Sequence, residues 1–415
     1  MRFLTFAPLV VSLAVACGDA GSDKSKSGAT GSGGQGATSA GSGGSGMGAA
    51  GGAAGSAGNS GGAGGSSGGR GGTSGAAGGS GGSAGGSGGS AGATSDLYVG
   101  PNGSDQNPGT RDAPLKTLTK AHEYARPGMT IWVLPGTISY GQSALLVRNG
   151  SAGSPIKIWA ESTRPVLDFS MLPRNDGNSR GIEIRGDYWH LKGLEIQDAG
   201  DNGILISGSH NIVENVVLHH NDDTGLQIMA SEAQATDATR AMDNLILNCD
   251  SYENWDGATS GENADGFAAK LRIGTGNVFR GCRAWNNADD GWDLFAADDV
   301  VLIEDCWAFM NGTTSQGSSP SGDGNGFKLG GQPNGPGQGG AVHQVRRSSA
   351  FENRSCGFSK NNNPDTPVLS DCGIGRNRLR DYCDISCNSD FTVSTTGSQA
   401  KALQRNPDGS LPALR

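Results

Sequence analysis

The chain has 415 residues, of which 73 are glycine and only 34% are hydrophobic, and its net charge is −9. This glycine content is far too high for a uniformly globular chain. Part of the sequence is therefore expected not to fold. Residues 1–95 carry four basic and two acidic side chains, so residues 96–415 carry −11. An acidic surface argues against nucleic acid as a partner, and a polyanionic ligand would need a metal ion or clustered lysines.

The N-terminus has the pattern of an export signal. "MRFLTFAPLVVSLAVACGD" has a basic residue, an apolar run too short to span a membrane, and small residues before Cys17. This predicts a signal peptide over 1–17. "AVAC" is similar to a bacterial lipoprotein cleavage site, which would leave Cys17 lipidated; plain secretion is the alternative. We expect a secreted or outer-surface protein that meets a membrane only through this anchor.

The next segment, residues 18–95, is built almost wholly of Gly, Ser and Ala. Such a segment has no large apolar side chains with which to form a core, so it is predicted to be a disordered linker. The folded domain is therefore expected over residues 96–415. Its first element, within "PLKTLTKAHEYARPGMTIWVLPGTI" (114–138), is predicted to be a capping helix followed by the first strand.

A repeat then runs along the domain, in which a glycine is followed by a strand-like triplet. It occurs as "GIEI" (181), "GILI" (203), "GLQI" (225), "GFAA" (266), "GWDL" (291), "GFKL" (326) and "GFSK" (357). Asparagine recurs at a second fixed phase, at Asn221, Asn254, Asn287, Asn311, Asn353 and Asn377. Asparagine suits such turns because it tolerates the left-handed conformation and its amide can bond the next asparagine along the axis.

Short strands that recur every 22 or more residues, with an asparagine ladder at a turn, indicate a parallel β-helix. The fold class predicted is therefore all-β, a parallel β-helix solenoid with an N-terminal capping helix. Four cysteines occupy the same position in their repeats, which predicts a buried ladder of small apolar side chains. They are Cys249, Cys282, Cys306 and Cys372. One disulfide is allowed among the remaining Cys356, Cys383 and Cys387.

Two repeats carry acidic residues beside their glycine. Asp265 directly precedes one glycine; Asp289 and Asp290 precede the next, and Asp293 follows it by two residues. Equal phase means stacking, so the four carboxylates should converge and repel one another unless a cation binds. Ca²⁺ accepts about 6–8 oxygen ligands, and the absence of His and Cys from this cluster disfavours Zn²⁺. "DDG" can also be an ordinary turn, but Asp293 falls inside a strand, where Asp is disfavoured.

Three lysines lie near this cluster in sequence. Lys328 follows its glycine by two residues, so it should stack one coil above Asp293. Lys270 lies out of phase with Asp293, and Lys360 lies in the coil after Lys328. Lys270 is the rival of Lys328 as a base, because it lies in the same block as Asp265, but its phase favours a contact with a substrate carboxylate or a solvated bystander. Lys360 has the same last two interpretations.

The blocks "ENADGFAAK", "NNADDGWDLF" and "GNGFKLGG" resemble the motif blocks of the polysaccharide lyase family 9 pectate lyases. The resemblance covers most of residues 97–363 and implies a right-handed parallel β-helix that cleaves pectate by β-elimination, with Ca²⁺ and a lysine base. The segment "GRNRLRDYCDISCNSDF" has no counterpart in it. The implied calcium ligands are Asp265, Asp289, Asp290 and Asp293, and the implied base is Lys328.

These residue types suit that chemistry. β-Elimination removes the C5 proton of a galacturonate, which is only weakly acidic because the neighbouring carboxylate is already negative. Ca²⁺ on that carboxylate withdraws charge, and the base must be neutral. A divalent cation and partial burial both favour a neutral lysine, so alkaline pH should suit the reaction.

The sequence thus predicts an exported, calcium-dependent pectate lyase that acts on polygalacturonate as a monomer. One alternative is a β-helix glycoside hydrolase such as a polygalacturonase, which would use carboxylates as acid and base. The other is a non-enzymatic surface adhesin whose Ca²⁺ is structural. The position of Lys328 disfavours the adhesin, because a structural metal site gains little from a second cation.

Overall fold

The computed structural model describes residues 96–230, 241–315, 317–318, 321–331 and 340–414. The predicted signal peptide, Cys17 and the linker over 18–95 lie outside the described residues. Within the described ranges no helix is long and apolar enough to cross a membrane.

Three long parallel sheets form the domain, and each coil contributes one strand to each sheet. Sheet A contains Leu97–Val99 (β1), Thr130–Val133 (β2), Ile156–Ala160 (β5), Trp189–Lys192 (β8), Ile212–Glu214 (β11), Leu245–Leu247 (β14), Asn277–Arg280 (β17), Val301–Glu304 (β20), Gln344–Arg346 (β25) and Val368–Ser370 (β28). Sheet B contains Thr137–Ser139 (β3), Val166–Asp168 (β6), Glu195–Gln197 (β9), Val217–His219 (β12), Asp250–Tyr252 (β15), Arg283–Trp285 (β18), Trp307–Phe309 (β21), Ser349–Phe351 (β26), Cys372–Gly375 (β29) and Asp390–Thr392 (β31).

Sheet C carries the glycine repeat. It contains Ala144–Leu146 (β4), Ile182–Ile184 (β7), Ile204–Ile206 (β10), Leu226–Ile228 (β13), Phe267–Ala269 (β16), Trp292–Asp293 (β19), Phe327–Lys328 (β24), Cys356–Ser359 (β27) and Arg380–Cys383 (β30). A short antiparallel pair, Thr313–Thr314 (β22) and Gly317–Ser318 (β23), stands apart. The residues after each repeat glycine pair in register from coil to coil, as in Phe267 with Trp292 and Trp292 with Phe327. The predicted phase and the parallel β-helix are both confirmed.

The asparagine ladder is continuous through the described coils. Each side-chain amide donates to the side-chain oxygen of the next asparagine at 2.8–3.1 Å, from Asn221 to Asn377. Of the two reasons predicted for asparagine at this turn, the amide ladder is confirmed and the left-handed conformation is wrong. The left-handed backbone, with φ of 52–60°, belongs to the residue before each ladder asparagine, which is His220, Glu253, Asn286, Met310, Glu352 or Arg376. The ladder position is therefore selected for its amide alone.

The N-terminal prediction needs one correction. The helix Leu118–His122 (α1) begins at the cap Thr117, whose side chain accepts from the Lys120 amide, and it buries Leu118 and Ala121. The strand that follows it is not the first, because β1 precedes the helix and pairs with β2. The helix thus lies in the connection between two strands of sheet A.

The cysteine prediction is confirmed at three positions and wrong at a fourth. Cys249, Cys282 and Cys306 are buried free thiols, stacked so that each amide of one coil meets the sulfur of the next at 3.4 Å. Cys372 is also buried in this phase, but it forms a disulfide with Cys387. A second disulfide joins Cys356 and Cys383.

Residues 375–391, the segment that has no counterpart in the resemblance to pectate lyases, complete the solenoid. They supply β30 to sheet C, and the chain then reaches β31 in sheet B. Beyond it, the helix Gly397–Ala402 (α2) and the following residues lie over the outer face of sheet B, where they cover Trp285 and Phe309. Arg405 reaches back to pair with Asp250, which Arg283 also binds.

Asn287→Ala should destabilise the domain. The Asn287 amide donates to Asn311 and to the Ser251 carbonyl, and its oxygen accepts from Asn254, all in buried surroundings. Removing it orphans these groups, at a cost of about 1–3 kcal/mol. The measurement is the free energy of unfolding in denaturant, with the exposed Asn102→Ala as the control. Equal stability of the two variants would show that the ladder does not hold the coils together.

Candidate active site

The site lies on the outer face of sheet C, and the alternation of its strands determines which side chains form it. Trp292 and Phe327 point inward and stack with ring centroids 4.8 Å apart. Because successive strand residues point to opposite faces, Asp293 and Lys328 point outward. These two residues are register partners in adjacent coils, as the sequence predicted.

Three of the predicted metal ligands form one tight group. Carboxylate oxygens of Asp265, Asp289 and Asp290 all lie within 4.8 Å of one another, and all three side chains are buried. Asp265 and Asp290 are stacked by the ladder, because the amide of the glycine after Asp265 donates to the Asp290 carbonyl at 2.9 Å.

In this group one carboxylate oxygen accepts no hydrogen bond. Asp290 Oδ1 accepts from the Asn325 amide at 2.6 Å, and Asp265 Oδ1 accepts from the Asp290 amide at 3.2 Å. Asp289 Oδ2 accepts from the Asn263 amide at 3.2 Å. Asp290 Oδ2 is buried and has no hydrogen-bond partner. An orphaned carboxylate oxygen beside two further carboxylates fits a hard divalent cation, which prefers oxygen ligands.

Asp293 belongs to the cluster but is held differently. Its Oδ1 accepts from the Phe295 amide at 2.9 Å, and its Oδ2 lies 2.9 Å from Lys270 Nζ. Lys270 Nζ also lies 2.8 Å from Asp265 Oδ2. Lys270 is thus out of strand phase with Asp293, as predicted, yet its long side chain brings the ammonium into direct contact with two of the four carboxylates.

Lys328 lies on the other side of Asp293. Its Nζ is 3.6 Å from Oδ2 of both Asp290 and Asp293 and 3.2 Å from Asp323 Oδ2. Asp323 was missed by the sequence analysis. It lies three residues before the repeat glycine in "GDGNG", outside the phases of the other aspartates, so strand phase gave no signal for it. Its side chain is half exposed and marks the solvent edge of the cluster.

The loop that carries Asp323 depends on a glycine. A Cβ on Gly322 would lie 2.5 Å from the Ala288 carbonyl oxygen and 3.0 Å from the Asp289 Cα. The loop backbone can therefore press against the Asp289 turn only because Gly322 has no side chain. This approach brings the Asp323 amide to Asp289 Oδ1.

The carboxylates do not share one electrostatic environment. Burial raises the pKa of Asp265 and Asp290 well above the usual range, and neighbouring carboxylates raise it further. Burial also raises the pKa of Asp289. Burial would raise the pKa of Asp293 as well, but Lys270 and Lys328 outweigh it and hold that pKa below its usual value.

The two lysines are strongly affected by the same charges. Burial favours their neutral forms, but the facing aspartates outweigh burial and hold the pKa of both Lys270 and Lys328 well above the ordinary range. With every group ionised, five carboxylates and two ammonium groups give the cluster a formal charge of −3. That excess negative charge favours binding of a divalent cation.

Lys360 lies away from this cluster. It follows β27, its Nζ donates to Thr366 Oγ1 at 3.3 Å, and its side chain is partly exposed. Among the described residues it makes no ion pair with the four aspartates. Its predicted role as a substrate contact stays a prediction.

A second acidic pair, one member of it buried, lies on the two coils directly before that of Asp265. Asp201 and Asp223 each stand two residues before a repeat glycine, the same phase as Asp289. Burial and the charge of Asp223 raise the pKa of Asp201 to about 7, although Arg180 lies 3.0 Å away and opposes the shift.

Comparison with known proteins gives the family. The model of the Pel9A-like right-handed β-helix region matches residues 97–387. The chain belongs to this family. The resemblance to family 9 polysaccharide lyases is thereby confirmed, and so is the right-handed fold.

Individual proteins are similar to this chain over most of the domain. Pectate lyase L of Paenibacillus polymyxa is 44% identical over 287 residues, which cover 67% of this chain and 62% of that protein. The crystal structure of pectate lyase Pel9A superposes with a TM-score of 0.63 at 32% identity, covering 77% of this chain and 88% of that one. A rhamnogalacturonan lyase gives the same TM-score at 25% identity, covering 77% and 95%. The chain spans about three fifths of the length of the pectate lyases L of Paenibacillus polymyxa and Dickeya chrysanthemi.

Asp201→Asn should flatten the pH dependence of stability. A carboxyl group whose pKa is raised on folding contributes stability that is full below its unfolded pKa, near 3.8, and is lost as pH rises through about 7. The wild type should therefore lose more stability between pH 5 and 8 than the variant, by about 1–3 kcal/mol. Denaturant unfolding at several pH values measures this, with the exposed Asp112→Asn as the control. Parallel profiles for wild type and Asp201→Asn would contradict the shift.

Proposed function

We propose that this protein is an exported, calcium-dependent pectate lyase that cleaves polygalacturonate by β-elimination. The observation that carries the proposal is the register pairing of Lys328 with Asp293 above the group of three buried aspartates. Family membership supports the reaction class, and the pectate lyases L and Pel9A support the substrate.

In this proposal Asp265, Asp289, Asp290 and Asp293 hold the Ca²⁺. When bound, the cation would withdraw charge from the substrate carboxylate and so stabilise the enolate-like transition state. The cluster suits this role because its acids are buried and preorganised by backbone amides, whereas Lys270, Lys328 and Asp323 line its more accessible side.

Lys328 is the proposed base for the C5 proton. Its Nζ lies beside the cluster, and burial favours the neutral form that a base requires. The carboxylates oppose this by raising its pKa, so Lys328 can lose its proton only when their charge is balanced. Activity should therefore rise with pH as Lys328 becomes deprotonated.

Two features separate this function from the alternatives. A polygalacturonase would place its acid and base on carboxylates and give a saturated product, whereas β-elimination gives an unsaturated product that absorbs ultraviolet light. An adhesin would bind polysaccharide without cleaving it. The similarity to a rhamnogalacturonan lyase makes that polymer the second substrate to assay.

Mutations of the proposed ligand and the proposed base should fail in different ways. Asp293→Ala should weaken cation binding, so that high Ca²⁺ restores part of the rate. Lys328→Ala should lose about 10²–10⁴ in rate at every Ca²⁺ concentration, because it lacks the base. Lys328→Arg should also be poor, because a guanidinium stays protonated.

The measurement is the initial rate of ultraviolet absorbance on polygalacturonate across a Ca²⁺ titration for each variant. Near-normal turnover by Lys328→Ala, combined with its loss in Lys270→Ala, would move the base to Lys270. Activity that EDTA leaves unchanged would contradict the role of calcium.

A further inference from the structure

We propose that Lys270 is a built-in counter-ion that competes with the divalent cation for carboxylate oxygens of Asp265 and Asp293, and so sets the metal affinity of the site. The inference rests on the proposed function only in requiring that the cluster binds a divalent cation.

The geometry places Lys270 where a metal ligand would be used. Its Nζ lies 2.8 Å from Asp265 Oδ2 and 2.9 Å from Asp293 Oδ2, which are distances of charge-assisted hydrogen bonds. The other oxygen of each carboxylate already accepts a backbone amide, from Asp290 and Phe295 respectively. Asp265 Oδ2 also accepts from the Thr224 hydroxyl at 3.2 Å, and a cation that bound the Oδ2 atoms of both aspartates would have to displace the Lys270 ammonium from them.

The position of Lys270 is built into the coil. Its amide donates to the Ile228 carbonyl of the preceding coil at 3.1 Å, and the amide of Leu271 donates to the Phe295 carbonyl of the following coil at 2.8 Å. The side chain is only 12% exposed. The backbone on both sides of Lys270 is thus fixed, and its ammonium reaches the carboxylates from a constrained origin.

Lys328 provides a matched comparison. It carries the same charge beside the same cluster, but its Nζ lies 3.6 Å from Asp290 and Asp293, beyond direct hydrogen-bond distance. A cation could bind these carboxylates beside Lys328, whereas it must take oxygens from Lys270. Displacement would release the Lys270 ammonium, which could then meet the carboxylate of a substrate. Cation binding and availability of Lys270 would then be coupled.

Calorimetric Ca²⁺ titration of the full chain, stripped with chelator, tests the competition. Lys270→Met should bind Ca²⁺ at least about tenfold tighter than wild type, because no ammonium has to be displaced, whereas Lys328→Met should change affinity by about threefold or less. The melting temperature of Lys270→Met in EDTA should fall, and its rise on adding Ca²⁺ should exceed that of wild type. Equal tightening in both variants would show that only through-space charge matters and would overturn the proposal.

The outcomes separate this inference from the proposed function. If wild type binds Ca²⁺ and Lys270→Met binds it no tighter, only the role of Lys270 is overturned. If neither binds, the cluster is not a cation site and the calcium dependence falls as well. Tight binding by Lys270→Met alone would support the competition in its strongest form.

A measurement on the wild type guards against a variant that fails to fold. Reductive methylation followed by peptide mass spectrometry reports how accessible each lysine amine is. Ca²⁺ should speed the methylation of Lys270 several-fold, because its ammonium is released, and Lys157 on sheet A should be unchanged. Protection of Lys270 that is the same with and without Ca²⁺ would contradict displacement.

Discussion

The spacing of the parallel ladder is the constraint on which the rest of the structure depends. Hydrogen bonds between adjacent coils place residues of equal phase about 4.8 Å apart, whatever their side chains prefer. Where those residues are Phe267, Trp292 and Phe327, the result is an inward aromatic stack. Where they are Asp265 and Asp290, the same spacing forces two carboxylates together in a buried place.

The electrostatic consequences of that spacing explain the composition of the site. Carboxylates brought together by the backbone cannot separate to relieve their repulsion, so cations have to come to them. Lys270 and Lys328 supply part of this positive charge from within the chain. They hold the pKa of Asp293 below its usual value, whereas the pKa of Asp265 and of Asp290 stays raised. Asp290 Oδ2 accepts no hydrogen bond, and the Lys328 ammonium approaches it only to 3.6 Å.

Residues set by strand phase could be predicted from the sequence, and residues set by side-chain reach or loop path could not. Phase alone placed Asp293 beneath Lys328 and aligned the asparagine ladder. It underestimated Lys270, because a flexible side chain of four methylenes can return to a neighbouring phase. Asp323 was missed because its position depends on how closely the loop at Gly322 approaches the preceding coil. The Cys372–Cys387 disulfide was missed because the partner belongs to a segment without recognisable repeats.

The pairing of Arg405 with Asp250 joins two residues that are far apart in a sequence whose other coils contact mainly their neighbours. Coils of a solenoid touch only their neighbours, so they can assemble progressively and fray from either end. Here Arg405 binds a residue 155 positions earlier, on the coil that also carries Asp265. The tail can dock only after the intervening coils exist, so its contacts close a long loop late in folding. Once docked, it ties several coils into one cooperative unit that includes the site.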